Sequence, residues 1–367
     1  MLVDHHVGAP ALIPSQSEER RRNIDTPREL RRLDPPPLAV GMEGDGLTEE
    51  KTVRWRRSEE RRLVDKTVLS FYLDDTHPYD RPVDTFRTFV DFVSSEGVRG
   101  ESSVILGLGA AEHGLLSRPT NAVQEAFIEQ LLRTYDCGID THMELMTHTG
   151  LFDFDSLSVP KGAPHERHWL HEPGVSLESY LSYFSSIIAE GERIGLRFTG
   201  VTWPGCGCGE CEKRSAALTG DSSLDVNPNV WAALLSLAKQ GKFRGCTVPC
   251  FTESRNAALQ LMAADGSYGV CDFPPNAMDY FGSYDNNPAR ATADYYIGAD
   301  GGSGRIVELV RAGAPYCLFY AHWQGINPFD GVGWEVFRQV VRRVNTLLRD
   351  RVVWMRPSEY TDQCHPG

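Results

Sequence analysis

The sequence predicts an α/β fold, a closed or nearly closed α/β barrel, and three observations carry that expectation. Strand-like and helix-like apolar segments alternate from Leu63 to the C-terminus. No Gly-rich dinucleotide fingerprint marks a doubly wound sheet. Acids and histidines recur directly after predicted strands, where α/β folds keep their chemistry.

The first strand is Val68-Leu69-Ser70-Phe71-Tyr72-Leu73, and it runs into Asp74-Asp75-Thr76-His77. Phe86, Phe89, Val90 and Val93 then fall at helical spacing, and Val104-Ile105-Leu106 reads as a buried strand. Pro119 and Thr120 open a helix with Val123, Ala126, Phe127, Gln130 and Leu131 on one face. Ile139 to His148 is the next strand. Ser176 caps a helix whose stripe is Leu177, Tyr180, Leu181, Phe184 and Ile188. Phe198 to Trp203 is a strand, Val230 to Ala238 a helix, Gly245 to Phe251 a strand and Asn256 to Ala263 a helix. The Asn276 to Ala299 stretch, rich in Asn, Asp, Gly, Pro and Tyr, reads as a long loop or small excursion. A helix from Gly304 to Ala312, a strand from Tyr316 to Ala321, a long helix carrying Val336, Val340, Val341, Val344 and Leu348, and the strand Val352-Val353-Trp354 complete the series.

At 367 residues, 41% hydrophobic and 24% charged, the chain suits one large domain of about 250–300 residues plus an appendage. Residues 1–62 form the appendage, a Pro- and Arg-rich charged arm with too few large apolar residues to bury a core. Residues 63–367 form the barrel domain. The formal net charge of -13 argues against nucleic acid or an anionic membrane surface as partner. No apolar run approaches a membrane span, and an acid stands where a signal peptide would carry basic residues. Nine cysteines, an odd number in a long chain, fit a reducing interior, so a cytoplasmic location is expected.

Three clusters carry chemistry. Adjacent carboxylates repel, and each costs free energy to bury without a cation or proton nearby, so Asp74 and Asp75 point to function. In Asp140-Thr141-His142-Met143-Glu144-Leu145-Met146-Thr147-His148, the acids and histidines alternate onto one face if the segment is extended. Imidazole nitrogens and carboxylate oxygens suit zinc or another divalent transition ion. In Tyr320-Ala321-His322-Trp323-Gln324, His322 is a candidate general acid and Trp323 a ring for a sugar face. Cys206, Cys208 and Cys211 are spaced to wrap a structural zinc with Cys246 or Cys250 as fourth ligand; a reduced loop or one disulfide is the alternative. His165, His168 and Glu172 show the spacing of a solvated helical face.

Together these segments resemble the polysaccharide deacetylases, the NodB-homology carbohydrate esterases. Phe71-Tyr72-Leu73-Asp74-Asp75 looks like that family's first motif, Glu144-Leu145-Met146-Thr147-His148-Thr149 is similar to its second, and Leu318-Phe319-Tyr320-Ala321-His322 to its closing motif. The resemblance covers residues 64–360 and implies an irregular, TIM-barrel-like (β/α) barrel, with Asp74 as catalytic base and Asp75 as metal ligand. The chain also departs from the pattern. Phe152 stands where the family has a second ligand histidine, so either the third ligand falls to His142, Asp153 or Glu144 in that order or the metal is absent, and the Arg-Pro motif lacks its arginine at Thr202-Trp203-Pro204.

The expected activity is removal of an acyl group, N-acetyl above all, from a carbohydrate or related small molecule. Asp75, His148 and His142 hold a divalent metal, Zn2+ first among the candidates. Asp74 acts as base and His322 as acid, and Trp203, Trp323, Tyr79 and Glu144 meet the substrate. Two alternatives stay open: an allantoinase-like hydrolase of a non-sugar amide or imide, and a carbohydrate-binding barrel without catalysis. The arm is a candidate contact for a homo-oligomer.

Overall fold

Ten residues form the central strand β1 (Thr67–Thr76), and burial on both faces makes it read as a nearly continuous apolar run. It pairs in parallel with β2 (Gly100–Val104), β8 (Tyr316–His322) and β9 (Val352–Trp354). The structure is a computed structural model that describes residues 66–77, 83–107, 121–204, 226–248, 259–283 and 287–364. The arm, residues 1–62, lies outside the described residues, as do Tyr79, Cys206, Cys208, Cys211 and Cys250.

Between these strands the chain continues through α1 (Val83–Glu96), α2 (Ala122–Cys137), β3 (Ile139–Met143), α3 (Glu166–Trp169), α4 (Leu177–Arg193) and β4 (Gly200–Thr202). It goes on through α5 (Pro228–Lys239), β5 (Cys246–Val248), β6 (Gln260–Asp265), β7 (Tyr268–Asp272) and α6 (Arg305–Arg311) before β8, then α7 (Trp323–Ile326), α8 (Trp334–Leu347), β9 and α9 (Pro357–Cys364). The strand order is β6-β7-β5-β4-β3-β2-β1-β8, with β9 also on β1. Every described pairing is parallel except β6 with β7.

The sheet is barrel-like without closing. No ladder joins β7 to β8 among the described residues; a single Ala277–Phe319 bridge lies beside β8 instead. Asn276 reinforces that seam: its amide nitrogen donates to the Tyr316 carbonyl at 2.9 Å, and its oxygen accepts from the Leu318 amide at 2.9 Å. Period-two alternation sorts the side chains. Leu69, Phe71 and Leu73 join the large core under the helices, whereas Val68 and Tyr72 join a smaller inner cluster with Cys246, Val248, Phe273, Tyr316, Leu318 and Tyr320. The inner face is also polar, with Ser70, Glu101, Ser103, Asp140, His142 and Thr202 buried.

At the N-terminal end of β3, Asp140 receives the first turn of α9. Its carboxylate accepts from the Ser358 amide at 2.8 Å and the Ser358 hydroxyl at 2.9 Å. Burial pushes the Asp140 pKa up to about 6 although those hydrogen bonds pull it down.

Several expected elements are corrected. The strand expected over 139–148 stops at Met143, because Leu145 and His148 take left-handed backbone conformations, φ 49° and 61°, that no strand accommodates. The helix expected over 256–263 is contradicted at its end. Gln260–Asp265 is a strand paired antiparallel with β7, and Gly266 at φ 60° turns the hairpin. Helix α2 starts at Ala122, since Asn121 and Gln124 form a reciprocal capping box, and Val123 is exposed on it. No helix of the described residues is long and apolar enough to cross a membrane.

Candidate functional site

The C-terminal end of β1 is irregular. Its register with β2 shifts between Leu73 and Thr76, and Asp75 sits at φ 59°. Adjacent strand residues normally point to opposite faces, but this bulge lets Asp74 and Asp75 act in one site. A left-handed aspartate costs about 1–2 kcal/mol, which the surroundings must offset. They do so through the Asp75 amide, which donates to Ser103 Oγ at 3.1 Å and Glu144 Oε2 at 3.3 Å, and through Gln324, whose amide nitrogen donates to Asp75 Oδ2 at 3.0 Å.

After β3 the chain turns sharply, and three of the four described non-glycine residues with positive φ, Asp75, Leu145 and His148, belong to this site. The turn carries His148 back over Glu144. His148 Nε2 lies 3.0 Å from Glu144 Oε1 and 3.4 Å from Asp75 Oδ1. One donor atom from each of Asp75, Glu144 and His148 falls within 4.8 Å of the others.

The group fits a metal on two counts. Ligands bound to one tetrahedral zinc at about 2.0–2.2 Å stand about 3.3–3.6 Å apart, close to the two separations seen at His148. Glu144 is fully buried, and its Oε1 faces the His148 ring nitrogen, so its charge is costly unless a cation, an imidazolium or a metal ion, neutralises it. Without a cation the acids compete for protons. Burial, then the charges on Asp74 and Asp75, pushes the Glu144 pKa well above the carboxylate range, and burial followed by Asp75 raises Asp74. Burial would lower His148, but Glu144 and Asp75 outweigh it and raise its pKa to about 10. Burial would likewise raise Asp75, yet His148, His322 and the Gln324 amide bring it below its ordinary value.

Ser103 on β2 ties two of the acids together. Its hydroxyl lies 2.9 Å from Asp74 Oδ1 and 2.7 Å from Glu144 Oε2. A hydroxyl has one proton to give, so two full hydrogen bonds require a proton on one carboxyl.

His322 ends β8 opposite Asp74, with Nε2 3.5 Å from Asp74 Oδ2. Its other nitrogen, Nδ1, lies 3.2 Å from Asp279 Oδ2. Ser283 completes the mounting by accepting the His322 amide at 2.7 Å and donating to Asp279 at 2.6 Å. Burial would lower the His322 pKa, but the Asp279 hydrogen bond and the charges of Asp74 and Asp75 raise it.

Asp74, Asp75, His148 and His322, singled out from sequence, therefore lie together. His142 does not join them. It sits two residues before Glu144, about 6–7 Å deeper along the inner face, with Nδ1 3.5 Å from Glu101 Oε2 and 3.4 Å from Thr202 Oγ1. Burial holds it neutral by lowering its pKa to about 3. Glu144, expected at the substrate and last of the three candidates for the third ligand, is the residue that lies with Asp75 and His148, because the turn after Met143 folds His148 onto it. Asp153 instead holds a local turn, accepting from the Asp155 amide and the Ser156 hydroxyl. Trp203 and Trp323, expected to stack on a sugar, are 0% and 2% exposed and offer it no face. Trp203 packs edge-on to Trp231, and Trp323 edge-on to Phe86 and Phe89.

Sequence reasoning missed Ser103, Gln324 and Asp279. Gln324 stood within a noted cluster, whereas Asp279 lay in the 276–299 excursion, where no periodicity marks a buried acid.

No protein-family model matches the chain, and no curated protein matches it. Among solved structures it is similar to a 4-alpha-glucanotransferase from Thermococcus litoralis, with 10% identity over 81% of this chain and a TM-score of 0.47. The match spans 40% of the glucanotransferase. It is also similar to a candidate glycoside hydrolase/deacetylase from Parabacteroides distasonis, with 10% identity over 82% of this chain and 71% of that one and a TM-score of 0.42. Neither likeness is close enough to say what this chain does.

Proposed function

We propose that the chain is a metal-dependent hydrolase, built on an irregular NodB-like (β/α) barrel, that removes an acyl group from a carbohydrate or related small molecule. One observation carries the reading: Asp75, Glu144 and His148 converge beside a buried acid, Asp74, and face an oriented histidine, His322. Two carboxylates and one imidazole suit zinc, and also a harder divalent ion such as manganese. An ion held there would supply Lewis-acid polarisation of an acyl carbonyl and acidify a water molecule.

The chain's own groups account for the proton movements. Asp74, kept out of water and raised in pKa, is suited to take a proton from the attacking water. Asp279 holds Nδ1 and the neighbouring acids raise the His322 pKa, so the imidazolium form is favoured and would offer its Nε2 proton to the departing amine or alcohol. Ser103 holds Asp74 and Glu144 at a fixed separation, so little reorganisation is needed during reaction. Aromatic stacking by Trp203 and Trp323 has no part in this reading.

Elemental analysis of the purified protein tests the metal. A screen of N-acetyl and O-acetyl sugars against small amides and ring imides tests the bond. A protein with neither bound metal nor hydrolytic activity would leave the carbohydrate-binding alternative. Metal with turnover of imides alone would favour the allantoinase-like one.

A further inference from the structure

Glu166 is the first residue of α3, fully buried, and its carboxylate is wrapped by the turn that carries His148. Oε1 accepts from the Met146 amide at 3.0 Å and the Thr147 amide at 3.3 Å, and Oε2 from the Thr147 amide at 3.1 Å and the His148 amide at 2.8 Å. Tyr183 adds its hydroxyl to Oε1 at 2.5 Å. The Glu166 amide in turn donates to the Thr149 carbonyl at 2.7 Å, so this residue grips the turn from both sides. Three successive amides converge on one anion, and the left-handed residues Leu145 and His148 flank them at the two ends of the turn.

Left-handed leucine and histidine are each unfavourable by themselves. The turn therefore needs a buried acceptor to hold it, and Glu166 is the carboxylate that the structure places there. We propose that Glu166 is a positioning residue: it holds the 145–148 turn in the one conformation that aims His148 Nε2 at Asp75 and Glu144, and so pre-forms the cation site. The proposal rests on the metal reading given above. The role is specific to position, because the carboxylate touches the backbone of His148 and not its ring.

The test is cobalt binding to the full chain, prepared metal-free and titrated with Co2+ alone, read by visible ligand-field bands and by competition with a chelating indicator. Glu166→Gln sets an NH2 against amide donors and removes an acceptor from at least two of them, so Co2+ affinity should fall about 10- to 100-fold with altered bands. Ser358→Ala, at the opposite end of β3, weakens the fold without touching the turn and should leave affinity and bands as in the parent. Parent-like cobalt spectra and affinity in Glu166→Gln overturn the proposal while leaving the metal reading intact. A parent protein that binds no Co2+ removes the metal reading, and the role of Glu166 with it. Amide hydrogen exchange on the metal-free parent keeps the idea refutable if Glu166→Gln fails to fold. Met146, Thr147 and His148 should be protected before any ion is added, and rapid exchange there overturns the proposal.

Discussion

Asp140→Asn is expected to change how stability depends on pH. Burial penalises the charge of the Asp140 carboxylate and pushes its pKa up to about 6 in the folded chain, from an ordinary value of 3.8. Below about pH 4 it is protonated in both states. Between about pH 4 and 6 the folded state keeps a proton that the unfolded chain has released, so stability falls as pH rises, and above that window the loss is complete. About two pKa units correspond to roughly 3 kcal/mol. Asparagine keeps the shape and one acceptor for Ser358, whose hydroxyl can rotate to accept from the new NH2. Urea unfolding of parent and variant at intervals from pH 4 to 7 gives the difference directly, because contributions from distant groups cancel. The parent should lose about 3 kcal/mol relative to Asp140→Asn across that range. A difference that stays constant with pH would refute the assignment of a raised pKa to this residue.

Other outcomes follow from the same geometry. Asp75→Asn should lose bound metal and turnover together, whereas Asp74→Asn should keep the metal and lose about 10²- to 10⁴-fold in kcat; metal content and initial rates separate the two. Asp279→Asn removes the carboxylate at His322 Nδ1, so the pKa of His322 should drop and the alkaline limb of the rate profile should move to lower pH. Gly200→Ala would set a Cβ 2.2 Å from His142 Nε2, and thermal unfolding should show a loss of about 1–3 kcal/mol from overpacking.

The most legible part of the site was its strand ends. Asp74 and His322 lie opposite each other because Asp74 pairs with His322 in the β1–β8 register, and both follow apolar runs long enough to read as buried strands. The hairpin of β6 and β7 carried a signal too, the Asp265-Gly266 turn, yet alanines at helical spacing obscured it. That Glu144 and not His142 lies beside Asp75 and His148 was beyond local reading, which ranked His142 first. Both lie on the inner face of one segment, and what separates them is a turn whose left-handed residues are a leucine and a histidine, types that advertise no such turn.

Composition, apolar periodicity and the acids at strand ends were enough to indicate an α/β chain with chemistry at one rim, because those signals are local and repeat along the sequence. Which donors meet, which tryptophans stay in the core, and where Asp279 and Glu166 act depend on contacts between residues as many as 249 positions apart. Such contacts exist only after packing has chosen which buried groups share a space, and burial then sets the protonation of each.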